Sequence, residues 1–145
     1  MKSGNMTINP STPLILDSNE YIFGISGDKA SCARLIDRLD TLRVFVPAMV
    51  LQEVRRNLDA LYGLGVVFFR LIAFQDNITI VWSPPPENLL QTYLKRGFAE
   101  EDAAIAATAE MVGARYIISE NRHFLQHTSS LPFQVIDAET ALKLL

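Results

Sequence analysis

The chain has 145 residues, 49% of them hydrophobic and 20% charged, which fits one domain with a substantial core and leaves no need for a second. A net charge of −3 excludes nucleic-acid binding by bulk electrostatics, which requires many lysines and arginines on one surface. The lone cysteine, Cys32, excludes an internal disulfide and any cysteine-built zinc site, and points to a reducing cytoplasm.

Residues 1–12 are polar and proline-flanked and are expected to form a flexible tail before a single domain spanning 13–145. No targeting segment is evident. Leu14-Ile15-Leu16 reads as a short apolar strand, and Asp17-Ser18-Asn19-Glu20 follows it in the form of a helix cap. Asp17 therefore has two readings. It caps a helix, or it points from the end of a first parallel strand into a crevice. Gly24 to Lys29 lacks the spacing of a phosphate-binding loop and is expected to be a turn, followed by an amphipathic packing helix from Ser31 to Leu39.

Val44 to Val46 reads as a second strand, with Pro47 in the first turn of a helix that runs to about Leu61 and turns Val50, Val54 and Leu61 to the core. Glu53 lies beside that apolar stripe. It is either a solvated partner of Arg56 or a group held at the edge of the core. Leu61 to Phe74 is apolar around most of a helical circumference, so it is either a buried core helix or a surface for a second copy or another partner. The run is too short to span a bilayer and contains Arg70, so no membrane segment is expected.

Ile78 to Trp82 reads as a third strand, Pro84-Pro85-Pro86 as a stiff link and Leu89 to Arg96 as a short helix. Glu100 to Phe124 is the densest stretch. Acids open a helix whose Ile105, Ala109 and Val112 share one stripe, and Gly113 ends it. Tyr116-Ile117-Ile118 then has the continuous apolar character of a buried parallel strand, with Ser119-Glu120-Asn121 beyond its carboxyl end. A last strand, Phe133 to Ile136, and a helix from Asp137 complete an alternation that predicts a parallel five-stranded sheet with helices on both faces.

In such a fold Asp17, Glu53, Asp102 and Asn121 with Glu120 all sit at element ends that converge on one crevice. Carboxylates so gathered repel one another unless a cation neutralises them, and an all-oxygen donor set suits Mg²⁺ or Mn²⁺. The basic pairs Arg55-Arg56 and Arg122-His123 lie close enough in sequence to offer phosphate contacts beside the acids, or else to form solvated helix faces.

These motifs, Leu14 to Asn19, Val46-Pro47 leading to Glu53, Glu101 to Ala109, and Gly113 to Phe124, in this order, resemble those of the PIN-domain family across nearly the whole chain. The resemblance implies a Rossmann-like three-layer α/β/α sandwich and metal-dependent ribonuclease activity. Many small members are toxins of toxin–antitoxin pairs and often dimers, so it also implies an RNA substrate, a protein antitoxin and a homodimer through 61–74. Asp17, Glu53 and Asp102 match the family's first three acids, and Ser119 its small hydroxyl residue. Ser18 and Asn19 would support the site, with Arg56 and Arg122 on the substrate.

At the fourth acidic position this chain has Asn121, which brings no charge and leaves open whether one metal binds or two. Glu120 either compensates or points to solvent. Two rivals remain, a degenerate PIN-like module that binds RNA or protein without cutting, and an unrelated hydrolase of phosphorylated small molecules. A zinc site from His123 and His127 lacks a third ligand.

Overall fold

Burial picks out the two innermost strands. Leu14, Ile15 and Leu16 of β1 (Pro13–Leu16) and Ile117 and Ile118 of β4 (Tyr116–Ile118) have no solvent-exposed surface, because strands covered on both faces have no side that can be polar. β1 pairs in parallel with β2 (Arg43–Pro47) on one side and with β4 on the other. β3 (Ile78–Val81) extends the sheet beyond β2 and β5 (Gln134–Ile136) beyond β4, giving the order β3-β2-β1-β4-β5. All pairings are parallel. The order reverses at β1, so a crevice opens beyond the carboxyl ends of β1 and β4. This computed structural model describes residues 7–126 and 130–145.

The helices are α1 (Ser18–Ser26), α2 (Ala30–Asp37), α3 (Ala48–Tyr62), α4 (Gly65–Ala73), α5 (Glu87–Lys95), α6 (Glu100–Val112), α7 (Arg122–Gln126) and α8 (Ala138–Leu144). α1 packs on α2 and α3, α2 on α8, and α5 on α6, which in turn lies across β2 and β4. Ala103, Ala106, Ala107 and Ala109 are fully buried, so the helix whose first turn carries Asp102 lies close against its neighbours. A larger side chain at Ala106 would overpack that contact at a cost of about 1–3 kcal/mol. α6 ends as expected at Gly113, whose φ of 73° is the left-handed conformation open to glycine.

The structure corrects several local expectations. Thr7 to Thr12 are not a loose tail, since Ile8 is buried and its N–H donates to Leu144 O at 2.8 Å. Gly24 is not in a turn but inside α1, where a Cβ would strike Ile36 and come within 2.8 Å of the Cys32 carbonyl; the glycine lets α2 approach. Pro47 ends β2 and caps α3 instead of entering its first turn. The apolar run 61–74 is two helices, broken where Gly63 adopts φ 65°. Leu61 faces solvent at 66% exposure, not the core. Phe68 and Ile72 anchor α4, while Val66, Val67 and Phe69 stay exposed. Among the described residues no helix is long and apolar enough to cross a membrane.

Candidate metal centre

At the end of β1 the Asp17 N–H continues the ladder by donating to Ile118 O at 2.8 Å. That fixes the carboxyl group in the crevice and gives its two oxygens different work. Oδ1 accepts from the Ser18 N–H at 2.8 Å as the cap of α1, and Oδ2 accepts from Ser119 Oγ at 2.8 Å. Both readings of Asp17 hold at once. Ser119, fully buried beyond β4, also accepts from the Asn121 N–H at 3.1 Å, so one hydroxyl ties the end of β1 to the turn after β4.

Glu53 enters from the middle of α3 and Asp102 from the first turn of α6. Together with Asp17, Ser18, Asn19, Glu101 and Asn121 they line a pocket of about 80 Å³ whose apolar wall is Met49, Val50 and Ile105. A site for a drug-sized molecule has roughly 300–1,000 Å³. This one has room for an ion and a few waters.

Burial raises the pKa of all three acids, and repulsion from neighbouring carboxylates, Glu101 among them in every case, adds to it. Asp102 is pushed up to about 6 by burial, then by Asp17 and Glu101, with His123 pulling weakly the other way. Asp17 is raised by burial against the lowering effect of its bonds to Ser119 and Ser18. Glu53 is raised by burial, Glu101 and Asp17, and lowered slightly by Ser18 and Arg56. The Ser18 hydroxyl lies close enough to Glu53 to have that effect, yet it makes no hydrogen bond of ordinary geometry and is a buried oxygen without a partner. Hard carboxylate oxygens, an orphaned hydroxyl and a charge deficit of this sign fit a divalent cation such as Mg²⁺ or Mn²⁺. Asp17, Asp102 and Glu53 could hold it.

A family model described as PIN domain matches residues 14–129, from the first strand through the turn that carries Asn121. The chain belongs to the PIN-domain family. The fold is similar to the crystal structure of PAE2754 from Pyrobaculum aerophilum, with a TM-score of 0.59 and 21% identity over 93% of this chain and 90% of that one. It is also similar to VapBC2 from Rickettsia felis, solved bound to a DNA fragment from their promoter, with a TM-score of 0.58 and 17% identity over 87% and 98% of the two chains. No curated protein sequence matches the chain significantly.

Within this PIN domain the remaining expected residues part company. Asn121 lines the pocket, but its amide nitrogen points to Asp102 Oδ2 at 3.4 Å and its carbonyl accepts from the His123 N–H at 3.0 Å, so its oxygen serves the start of α7. Arg56 lies outside the pocket with Arg55 in an adjoining hollow, and Arg122 is exposed at the start of α7. His127, the second half of the zinc pair, lies outside the described residues.

Glu120 neither compensates for Asn121 nor points to solvent. It turns to the opposite side, accepting from Lys29 Nζ at 2.8 Å and from the Ala138 N–H at 2.9 Å. There it meets Glu20, which does not complete a capping arrangement with Asp17 but is fully buried, with its Oε1 accepting from Cys32 Sγ at 3.5 Å. Glu20, Cys32 and Glu120 offer atoms within 4.8 Å of one another. They differ from the crevice pocket in that a cation, Lys29, already pairs with one of them. Burial and Glu120 push Glu20 up to about 10, which favours its protonated form at neutral pH; its buried Oε2 is without a hydrogen-bond partner, while Lys29 pairs with Glu120.

Glu101 is the residue that the sequence reading passed over. It lines the pocket and raises all three acids. Its only signal was its place beside Asp102 in the acidic first turn of α6.

Proposed function

We propose that this PIN domain is a metal-dependent endoribonuclease that hydrolyses RNA phosphodiester bonds with Asp17, Glu53 and Asp102. One observation carries the reading. Three carboxylates remote in sequence line one ion-sized pocket, and among the described residues no lysine or arginine lines it with them. A bound Mg²⁺ or Mn²⁺ would supply that positive charge, stabilise charge developing on the phosphate and make water more acidic. The Ser18 N–H and the Ser119 hydroxyl fix both oxygens of Asp17, and the Asn121 amide steadies Asp102. Glu53 is less buried than either aspartate, and its raised pKa suits it to orient the attacking water and accept its proton. The small pocket speaks against a hydrolase that encloses a phosphorylated metabolite.

The same proposal makes the protein a cytoplasmic toxin held by an antitoxin, and a homodimer through the outer face of α4. Val66 and Val67 there are 62% and 47% exposed, which supports a protein partner, and the free buried Cys32 suits a reducing compartment. A strict monomer by solution mass would remove the homodimer. A second reading, a module that binds without cutting, is favoured by Asn121, whose amide stands where the family usually has a carboxylate. Purified protein incubated with structured RNAs, with and without Mn²⁺, decides between the two. Cleavage that needs the ion and disappears in a folded Asp102→Asn variant supports the nuclease, and cleavage that survives that substitution overturns it.

A further inference from the structure

Three hollows follow one another away from the acidic pocket. Met49 lines the pocket and also a cavity of about 290 Å³ walled by Pro47, Val81 and Leu90. Trp82 bounds that second cavity and also lines a third, of about 790 Å³, against Arg55 and Arg56 of α3 and Phe69 of α4. The three hollows are thus linked in series through shared lining residues. Arg56 lies three positions after Glu53 on α3, about one helical turn from the pocket wall.

Trp82 is the only tryptophan of the chain and is 68% exposed just past β3. Buried aromatics contribute most to cores, so an indole left in water in the same hollow as two arginines has little structural purpose. Among the described residues neither Arg55 nor Arg56 forms an ion pair. The carboxylate that shares their hollow, Asp59, rests against Gly65 at the start of α4, an end of a helix that favours negative charge. Positive charge beside an open π-face is complementary to a phosphate backbone with unpaired bases, because every base can stack while arginine holds the phosphates. A protein helix would match the largely apolar face of Val66 and Val67 better.

We propose that Trp82, Arg55 and Arg56 form a base-stacking subsite for single-stranded RNA, further along a strand whose scissile phosphate lies at the acidic pocket. The inference rests on the ribonuclease reading and names its substrate class. Emission from Trp82 reports occupancy directly, so the folded, full-length Asp102→Asn protein is titrated with a mixed-sequence single-stranded octaribonucleotide and with the corresponding duplex. The single strand is expected to quench the emission saturably and the duplex is not. In anisotropy measurements Trp82→Ala should weaken single-strand binding about ten- to hundredfold. Arg55→Gln with Arg56→Gln should lower the slope of log affinity against log salt by about one.

Binding or cleavage of the octamer with unmoved emission and unchanged affinity in Trp82→Ala overturns the subsite and leaves the nuclease reading standing. Quenching by the single strand without Mn²⁺-dependent cleavage by the unsubstituted protein keeps the subsite and overturns the nuclease. A concentration-dependent blue shift without RNA means that a second copy covers Trp82, which also overturns the proposal.

Discussion

Two carboxyl clusters grow from the same two segments of chain and meet opposite ends. Asp17 and Glu20 lie within one turn of each other, and Ser119 and Glu120 are adjacent, yet Asp17 with Ser119 faces the crevice while Glu20 with Glu120 faces α2. The inner pair is compensated from within by the Lys29 ammonium, and the raised pKa of Glu20 favours a proton there. The outer set has no such lysine, and four acids line its pocket. Acids alone do not mark a cation site. The mark is a cluster whose charge the protein leaves unpaired.

The largest effect that distinguishes the clusters is stabilisation by an ion. Without metal, Asp102 has a folded pKa of about 6 above an ordinary value of 3.8, so its contribution to stability is complete below the lower value and is lost as pH rises through the higher. Near pH 7.5, Mn²⁺ at about a hundred times its dissociation constant should restore roughly 3 kcal/mol and raise the melting temperature by roughly 5–10 °C. The gain should shrink as pH falls below about 6. Asp17→Asn and Asp102→Asn should abolish it and Glu20→Gln should keep it, as followed by thermal melts. An ion response lost in Glu20→Gln and kept in Asp102→Asn would exchange the roles of the two clusters.

Next in size is Ser119→Ala. The hydroxyl touches Asp17 Oδ2 and the Asn121 N–H, so its loss frees a carboxyl rotamer and the turn after β4 together. Groups that orient ligands in this way are worth about 10- to 100-fold in metal affinity or activity. Mn²⁺ titration by calorimetry should show that drop, and Ser119→Thr should recover most of it. An unchanged affinity would mean that the Ser18 cap alone positions Asp17.

Much of this was open to inspection in the sequence because the signals are local. Leu14-Ile15-Leu16 and Tyr116-Ile117-Ile118 are unbroken apolar runs, as doubly covered strands must be, and Gly113 marks the end of α6. Asp17, Glu53 and Asp102 could be placed because each sits at a fixed offset from such an element. Glu20 and Glu120 could not, since their meeting depends on which way side chains turn across 100 positions, and the capping pattern of Asp17 and Glu20 offered a simpler local account. The break at Gly63 was visible as a glycine but was overridden by the apolar character of its neighbours. α7 covers five residues, too few for a helical period to show.

The smallest effect concerns the inner pair. Glu20 is pushed up to about 10 in the folded protein from an ordinary 4.5, so folding at neutral pH forces it to take up a proton that the unfolded chain would release. Its contribution to stability is therefore present below about pH 4.5 and is lost progressively as pH rises toward 10. Glu20→Gln removes the titration and keeps the shape, since its amide nitrogen can donate to Glu120 and its oxygen can accept from Cys32. The variant should match the unsubstituted protein near pH 4 and exceed it by about 1–3 kcal/mol near pH 8 in denaturant titrations, the gap widening with pH. A constant gap would mean that Glu20 is ionised beside Glu120, and two buried negative charges against one lysine would make the inner cluster the cation site.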